Sequence, residues 1–189
     1  KTPTTSQSPI PKPTDSPKLT QEIISSPSKI RFSVSSTIIN YGKLAPGEPI
    51  IRDLTINLGS NTGASVVASG SDSLKSEDNQ EIPDTTCDEG TCTELIPAKW
   101  TSPLTYGFGY RCEDINGTSC DRSFLHQNIY KQFPNASNKE AFEIINDSVT
   151  TKATSSKINL KVNIPGSLTE TSFSNTIQIV ALPKLQSGN

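Results

Sequence analysis

Ile158-Asn159-Leu160-Lys161-Val162-Asn163-Ile164 alternates apolar and polar side chains without a break. Successive side chains of a strand point to opposite faces, so this run puts four aliphatics on one face and Asn159, Lys161 and Asn163 on the other. The chain repeats the pattern. Ile30, Phe32 and Val34 alternate with Arg31, Ser33 and Ser35, and a second short run stands at Ile38-Ile39. Over residues 50–58, Leu54, Ile56 and Leu58 face one way and Thr55 and Asn57 the other. Residues 64–68 form a shorter apolar strand, and Ile177 and Ile179 lead into Val180-Ala181-Leu182. Alternation rich in β-branched residues predicts half-buried antiparallel strands. The Pro46-Gly47 pair in Leu44-Ala45-Pro46-Gly47-Glu48-Pro49 suits a type II turn between two of them. Together these strands predict an all-β fold, an antiparallel β-sandwich or jelly roll over residues 29–185, with 186–189 as a C-terminal end. One segment departs from this: in residues 139–145, Ala141, Phe142 and Ile145 have helical spacing and predict one or two turns of helix.

Composition agrees with a thin two-layer β structure. Hydrophobic residues make up 32% of the 189, while Ser and Thr together number 47. Such a chain suits polar outer sheet faces better than a helix-rich enzyme core. The net charge of −2 offers no basic patch, which argues against a nucleic-acid partner. No apolar run approaches the ~18–20 residues that span a bilayer as a helix. The chain has no methionine and opens Lys1-Thr2-Pro3. That start suggests a mature, exported protein whose signal peptide has been removed.

Residues 1–28 differ in kind from the body. Seventeen of them are Pro, Ser or Thr. A segment of this composition buries too little apolar surface to offset its ordering entropy, and it is expected to be extended unless a partner orders it. Within it, residues 18–26 read as a strand that another molecule could accept. Leu19, Gln21 and Ile23 share one face, and Ile24 follows on the other. The prolines before this stretch cannot join a ladder.

Four cysteines, an even count at short spacings, fit paired disulfides and an oxidising compartment. Cys87 and Cys92 flank a four-residue loop. Cys112 and Cys120 flank a segment holding the tight-turn signal Asn116-Gly117. Proximity favours 87–92 and 112–120 among the three possible connectivities, while a four-cysteine zinc site is the rival reading. Two insertions do not read as strands, 71–103 and 112–138, and long structured loops of this kind are often binding surfaces. The first is acidic, with Glu77, Asp78, Glu81, Asp84, Asp88 and Glu89. It could supply oxygen ligands to calcium, although no EF-hand pattern is present. His126 is the one histidine, and no catalytic or cofactor motif accompanies it, so neither an enzyme nor a cofactor is expected. Its expected place is at the surface or in a cap. Asn116, Asn135 and Asn146 each begin a glycosylation triplet.

Tyr106-Gly107-Phe108-Gly109-Tyr110 puts aromatics on one face and leaves the other bare. Glycine within a strand marks a close approach by something else. Two readings follow: a neighbouring loop of the same domain lies over the glycines, or this strand accepts a strand or tail from another subunit.

The run Ile82-Pro83-Asp84-Thr85-Thr86-Cys87-Asp88-Glu89-Gly90-Thr91-Cys92-Thr93 is followed by Trp100, by Tyr106 through Cys112, and by Tyr130-Lys131-Gln132-Phe133-Pro134. Lys161-Val162-Asn163-Ile164 and Ser174-Asn175-Thr176-Ile177 come after. In this order they resemble secreted surface proteins of unknown activity from ultra-small, host-attached bacteria of the candidate phyla. That resemblance implies a cell-surface setting and contact with a host, but no chemistry. The turn at Leu44-Ala45-Pro46-Gly47 and its flanking strands resemble TasA-like fibre subunits, in which the N-terminal segment of one subunit adds a strand to the next. The expectation is therefore a structural subunit of an extracellular fibre, pilus or surface layer, polymerising with copies of itself through the tail. The alternative is a monomeric adhesin or binding module that uses the 71–103 and 112–138 loops.

Overall fold

A computed structural model describes residues 29–135, 141–147 and 152–184. Eleven strands are found among them: β1 (Ile30–Val34), β2 (Ile50–Ser60), β3 (Ala64–Gly70), β4 (Leu74–Lys75), β5 (Glu81–Ile82), β6 (Ala98–Lys99), β7 (Gly107–Asn116), β8 (Ile129–Gln132), β9 (Phe142–Asp147), β10 (Thr154–Asn163) and β11 (Ile177–Pro183). A six-stranded sheet, ordered β1-β2-β10-β7-β8-β6, packs on a three-stranded sheet, ordered β11-β3-β9. β4 and β5 form a small separate ladder. All these strand pairs are antiparallel. The fold is the expected all-β sandwich.

The core lies between the two sheets. β2 contributes Leu54, Ile56 and Leu58, β10 contributes Ile158, Leu160 and Val162, and β7 contributes Phe108, Tyr110 and Cys112. Val66 and Ala68 of β3 and Ile144 and Ile145 of β9 face them. The alternation of β10 thus reads correctly for its apolar row. Its polar row does not face water: Asn159, Lys161 and Asn163 are also buried. The turn at Pro46-Gly47 has Gly47 at φ +78°, and the Glu48 N–H donates to the Ala45 carbonyl, as a type II turn requires.

Three expectations need correction. Ile38-Ile39 belongs to no strand, and Ile38 is exposed. The part of residues 139–145 that is described, from Ala141 on, runs into β9 and is not helical. Its apparent helical spacing comes from a bulge. The register with β3 passes from Val66↔Ile145 to Val67↔Glu143, leaving Ile144 extra, so adjacent Ile144 and Ile145 are both buried. Residues 71–103 and 112–138 are not wholly irregular either. The first supplies β4, β5 and β6, and the second supplies the end of β7, the single 3₁₀ turn Arg122–Phe124, and β8.

Candidate assembly site at the seam between the sheets

The two candidate surfaces differ in how far the chain has closed them. Cys87 bonds Cys92, and Cys112 bonds Cys120, as proximity suggested. The first bridge belongs to a small second core with Trp100 and Tyr130, whose rings meet edge to face at 5.5 Å. Trp100 is fully buried, and its indole N–H donates to the Thr105 carbonyl at 3.1 Å. This layer covers the outer face of β10 and β7. There the Lys161 Nζ donates to the Trp100 carbonyl at 2.8 Å and lies over the Trp100 and Tyr130 rings at 4.5 and 5.0 Å. Burial pulls the Lys161 ammonium down to a pKa of about 8, against a smaller opposing pull from Asp88.

Asp88 was grouped with a cluster of loop acids, yet it ties the layer together. Its carboxylate accepts from the Thr101 N–H at 2.7 Å and hydroxyl at 2.8 Å, from the Thr105 hydroxyl at 2.8 Å and from the Ser102 N–H at 3.2 Å. Partial burial opposes its ionisation, but these bonds outweigh it and hold the carboxyl below its ordinary range. Lys131, also buried, pairs with Asp121 at 2.6 Å. Among the described residues no group of three His, Cys, Asp or Glu side chains is placed to hold a metal ion. His126 is exposed, as expected. Asn135, which begins one of the three glycosylation triplets, is buried and donates to Asp84, which removes it from reach in the folded chain.

The strand expected as an acceptor for another subunit is already filled by this chain. Phe108 and Tyr110 are buried, whereas Tyr106 lies before β7 and is 47% exposed. β10 pairs along one edge of β7. On the other edge the Phe108 N–H donates to the Pro83 carbonyl at 2.9 Å, the Thr85 N–H donates to the Phe108 carbonyl at 3.0 Å, and β8 pairs with Gly109 and Tyr110. A Cβ on Gly107 would lie 2.5 Å from the Thr85 backbone, and one on Gly109 would lie 2.7 Å from the Lys131 carbonyl. The glycines make room for a neighbouring loop of the same domain. No free edge remains at residues 106–110 for an incoming strand.

The open surface lies elsewhere. A groove of about 540 Å³ enters the sandwich between the sheets. Its floor is core: Leu54, Phe108, Ile144 and Leu160. Phe32 and Val34 of β1 form one wall, and Ile177 and Ile179 of β11 form the other. Among the described residues β1 and β11 are the end strands of their sheets, each with a strand partner on one side.

The hydrogen bonding of β11 can be worked out from its ends. The Ser71 N–H donates to the Thr176 carbonyl at 2.7 Å, and the Lys184 N–H donates to the Gly63 carbonyl at 3.0 Å. Bonded and non-bonded pairs alternate in an antiparallel ladder, so in this register Gln178, Val180 and Leu182 bond to β3. Ile177, Ile179 and Ala181 then direct their N–H and C=O groups away from the sheet. No charged residue interrupts β11, whereas the opposite end strand, β9, carries Glu143 and Asp147, and β1 carries Arg31. Charged residues and short length are what normally guard a sheet edge against pairing. The outer face of β11 is also apolar, with Val180 and Leu182 nearly half exposed.

Leu19, Gln21, Ile23 and Ile24, expected as the donor strand, lie outside the described residues. One sign of the β11 edge is legible in the chain, a run from Ile177 to Pro183 without a charge, but its end position depends on strand order. The groove is also lined by residues 36–39, 41 and 173–176, where the run at Ile38-Ile39 and the Ser174–Ile177 motif are visible but nothing in them marks a groove. Comparison with protein-family models and with curated proteins found no match for this chain. Among the described residues no helix is long and apolar enough to cross a membrane.

Proposed function

We propose that this protein is a non-catalytic structural subunit of an extracellular fibre, pilus or surface layer, joined to its neighbour by donation of an N-terminal strand. The observation that carries this reading is the groove: in the described domain an apolar cleft lies between the sheets, with the partly exposed Phe32, Ile177 and Ile179 along its walls. Residues 18–26 hold three aliphatics, Leu19, Ile23 and Ile24, in a stretch otherwise rich in polar residues and proline. Burial stabilises by roughly 1.5–3 kcal/mol for each fully covered aliphatic side chain. Two disulfides support an exported, cell-surface setting. The test is negative-stain microscopy of the full chain beside Ile23→Asp. Filaments from the wild type and none from a folded variant are expected; filaments from both would end the strand-donation reading.

A second reading, a monomeric adhesin in contact with a host surface, is favoured by one observation. Leu95, Ile96 and Leu104 are exposed on the disulfide-bonded layer, Leu104 to 85%. Exposed apolar side chains on rigid loops suit a binding surface. A full chain that stays monomeric and whose host-cell binding is lost in Leu104→Asp would favour this reading.

A further inference from the structure

We propose that the acceptor site is the outward edge of β11, with residues 18–26 of a second copy seated in the seam between β11 and β1. The assignment rests on the strand-donation reading above and names where the donated strand goes.

The edge supplies the ladder. Ile177, Ile179 and Ala181 each present an N–H and a C=O away from β3, and Pro183 ends the run because it has no N–H to offer. The groove supplies the pockets. Leu19 and Ile23 lie four residues apart on one face, about 13 Å along an extended strand, and would face the apolar floor. With Ile23 opposite Ile179 in an antiparallel pair, Ile24, on the other face, would lie beside the exposed Gln178. A strand seated there gains main-chain bonds from the edge and side-chain burial from the seam together.

The path of the chain points to a second copy as the source. The Lys29 N–H donates to Asn61 Oδ1 at 2.8 Å, and the Lys184 N–H donates to the Gly63 carbonyl. Both anchor at the β2–β3 turn, so residues 1–28 join the sandwich at the end of the seam where β11 finishes. To enter its own seam, the chain would have to reverse just before Lys29, at Pro27-Ser28. A two-residue reversal between strands needs positive φ at its first central position, and proline holds φ near −65°. A tail that did return would run parallel to β11, the less stable pairing. A tail from another molecule is free to run antiparallel. Because donor and acceptor are different surfaces of one chain, the contact does not close on itself and propagates as a filament.

Ala181→Pro tests the site in the full chain. Its N–H makes no bond to β3, so the substitution removes an edge donor and leaves the ladder intact. The expected result is an unfolding midpoint within a few degrees of wild type and at least a tenfold loss of sedimentable polymer, matching Ile23→Asp. As a measurement that needs no proline, a chain carrying Ile24→Cys is mixed with one carrying Gln178→Cys and oxidised. Cross-linked dimers are expected. If Ile23→Asp blocks assembly while Ala181→Pro does not, and no cross-link forms, strand donation stands but this acceptor is wrong. If neither substitution matters, strand donation itself fails. A cross-link within a single chain that carries both cysteines, with that chain monomeric, would put the tail in its own seam and overturn the proposal.

Discussion

The outer face of the six-stranded sheet and the seam between the sheets invert the usual division of a sandwich. The outer face carries Lys161, Asn159 and Asn163, yet it is sealed by a layer holding a disulfide, Trp100 and the Asp88 hydrogen bonds. The seam is lined by core aliphatics and aromatics, yet it is open. A polar surface can be closed by its own chain where a buried donor finds an acceptor, as Lys161 does at the Trp100 carbonyl. The apolar seam lies beside an edge of β11 that no described strand pairs. The contrast separates what the described domain closes from what it leaves open.

The sealed side should be the fragile one. Gly107→Ala puts a Cβ against the Thr85 backbone at a φ of +122°. Overpacking and backbone strain together are expected to cost about 3 kcal/mol, a fall in melting temperature of roughly 10 °C for a chain of this size. An unchanged melting curve would mean that the loop of residues 83–85 is not held against β7. Next in size, replacing Cys87 and Cys92 together by Ser should cost about 2 kcal/mol by the chain-entropy model. Trp100 emission should shift to the red as its cover loosens, and an unshifted spectrum would show that the layer does not need its bridge.

The buried ammonium gives a pH signature. In the folded chain Lys161 has a pKa of about 8, well below an unfolded lysine. Between these values the unfolded chain holds more protons, so stability should rise with pH, by at most about 1.4 kcal/mol per pH unit. Above about pH 10 it should fall again. Burial holds the Tyr41 and Tyr110 hydroxyls protonated in the fold, while the unfolded chain ionises them. Urea midpoints across pH 7–11 check this, and Lys161→Met should flatten the rising limb.

The smallest effect belongs to the open side. Val180→Lys, on the outer face of β11, should change stability by no more than about 0.5 kcal/mol while adding the charge this edge lacks. Chemical denaturation checks the first part. A loss of several kcal/mol would mean that β11 is closed on that face within one chain, and the contrast would collapse.

Much of this architecture is legible in the chain itself. Period-two alternation determines that residues 30–34, 50–58 and 177–182 are strands and which of their faces turns inward, because a strand has only two faces, though Phe32 stays exposed at the groove wall. Short spacing favours both disulfides over the other connectivities, and the structure forms them. The paired glycines at 107 and 109 announce that something lies over them, but only the tertiary structure decides that it is the chain's own Thr85. Local pattern misleads at Ala141, Phe142 and Ile145, whose helical spacing is that of a strand with a bulge at Ile144. It is silent on the burial of Lys161, which depends on a layer contributed from residues about sixty positions away. It is silent, too, on the open seam: an edge is defined by the strand that is not beside it, and strand order is set by long-range pairing that no run of neighbouring residues records.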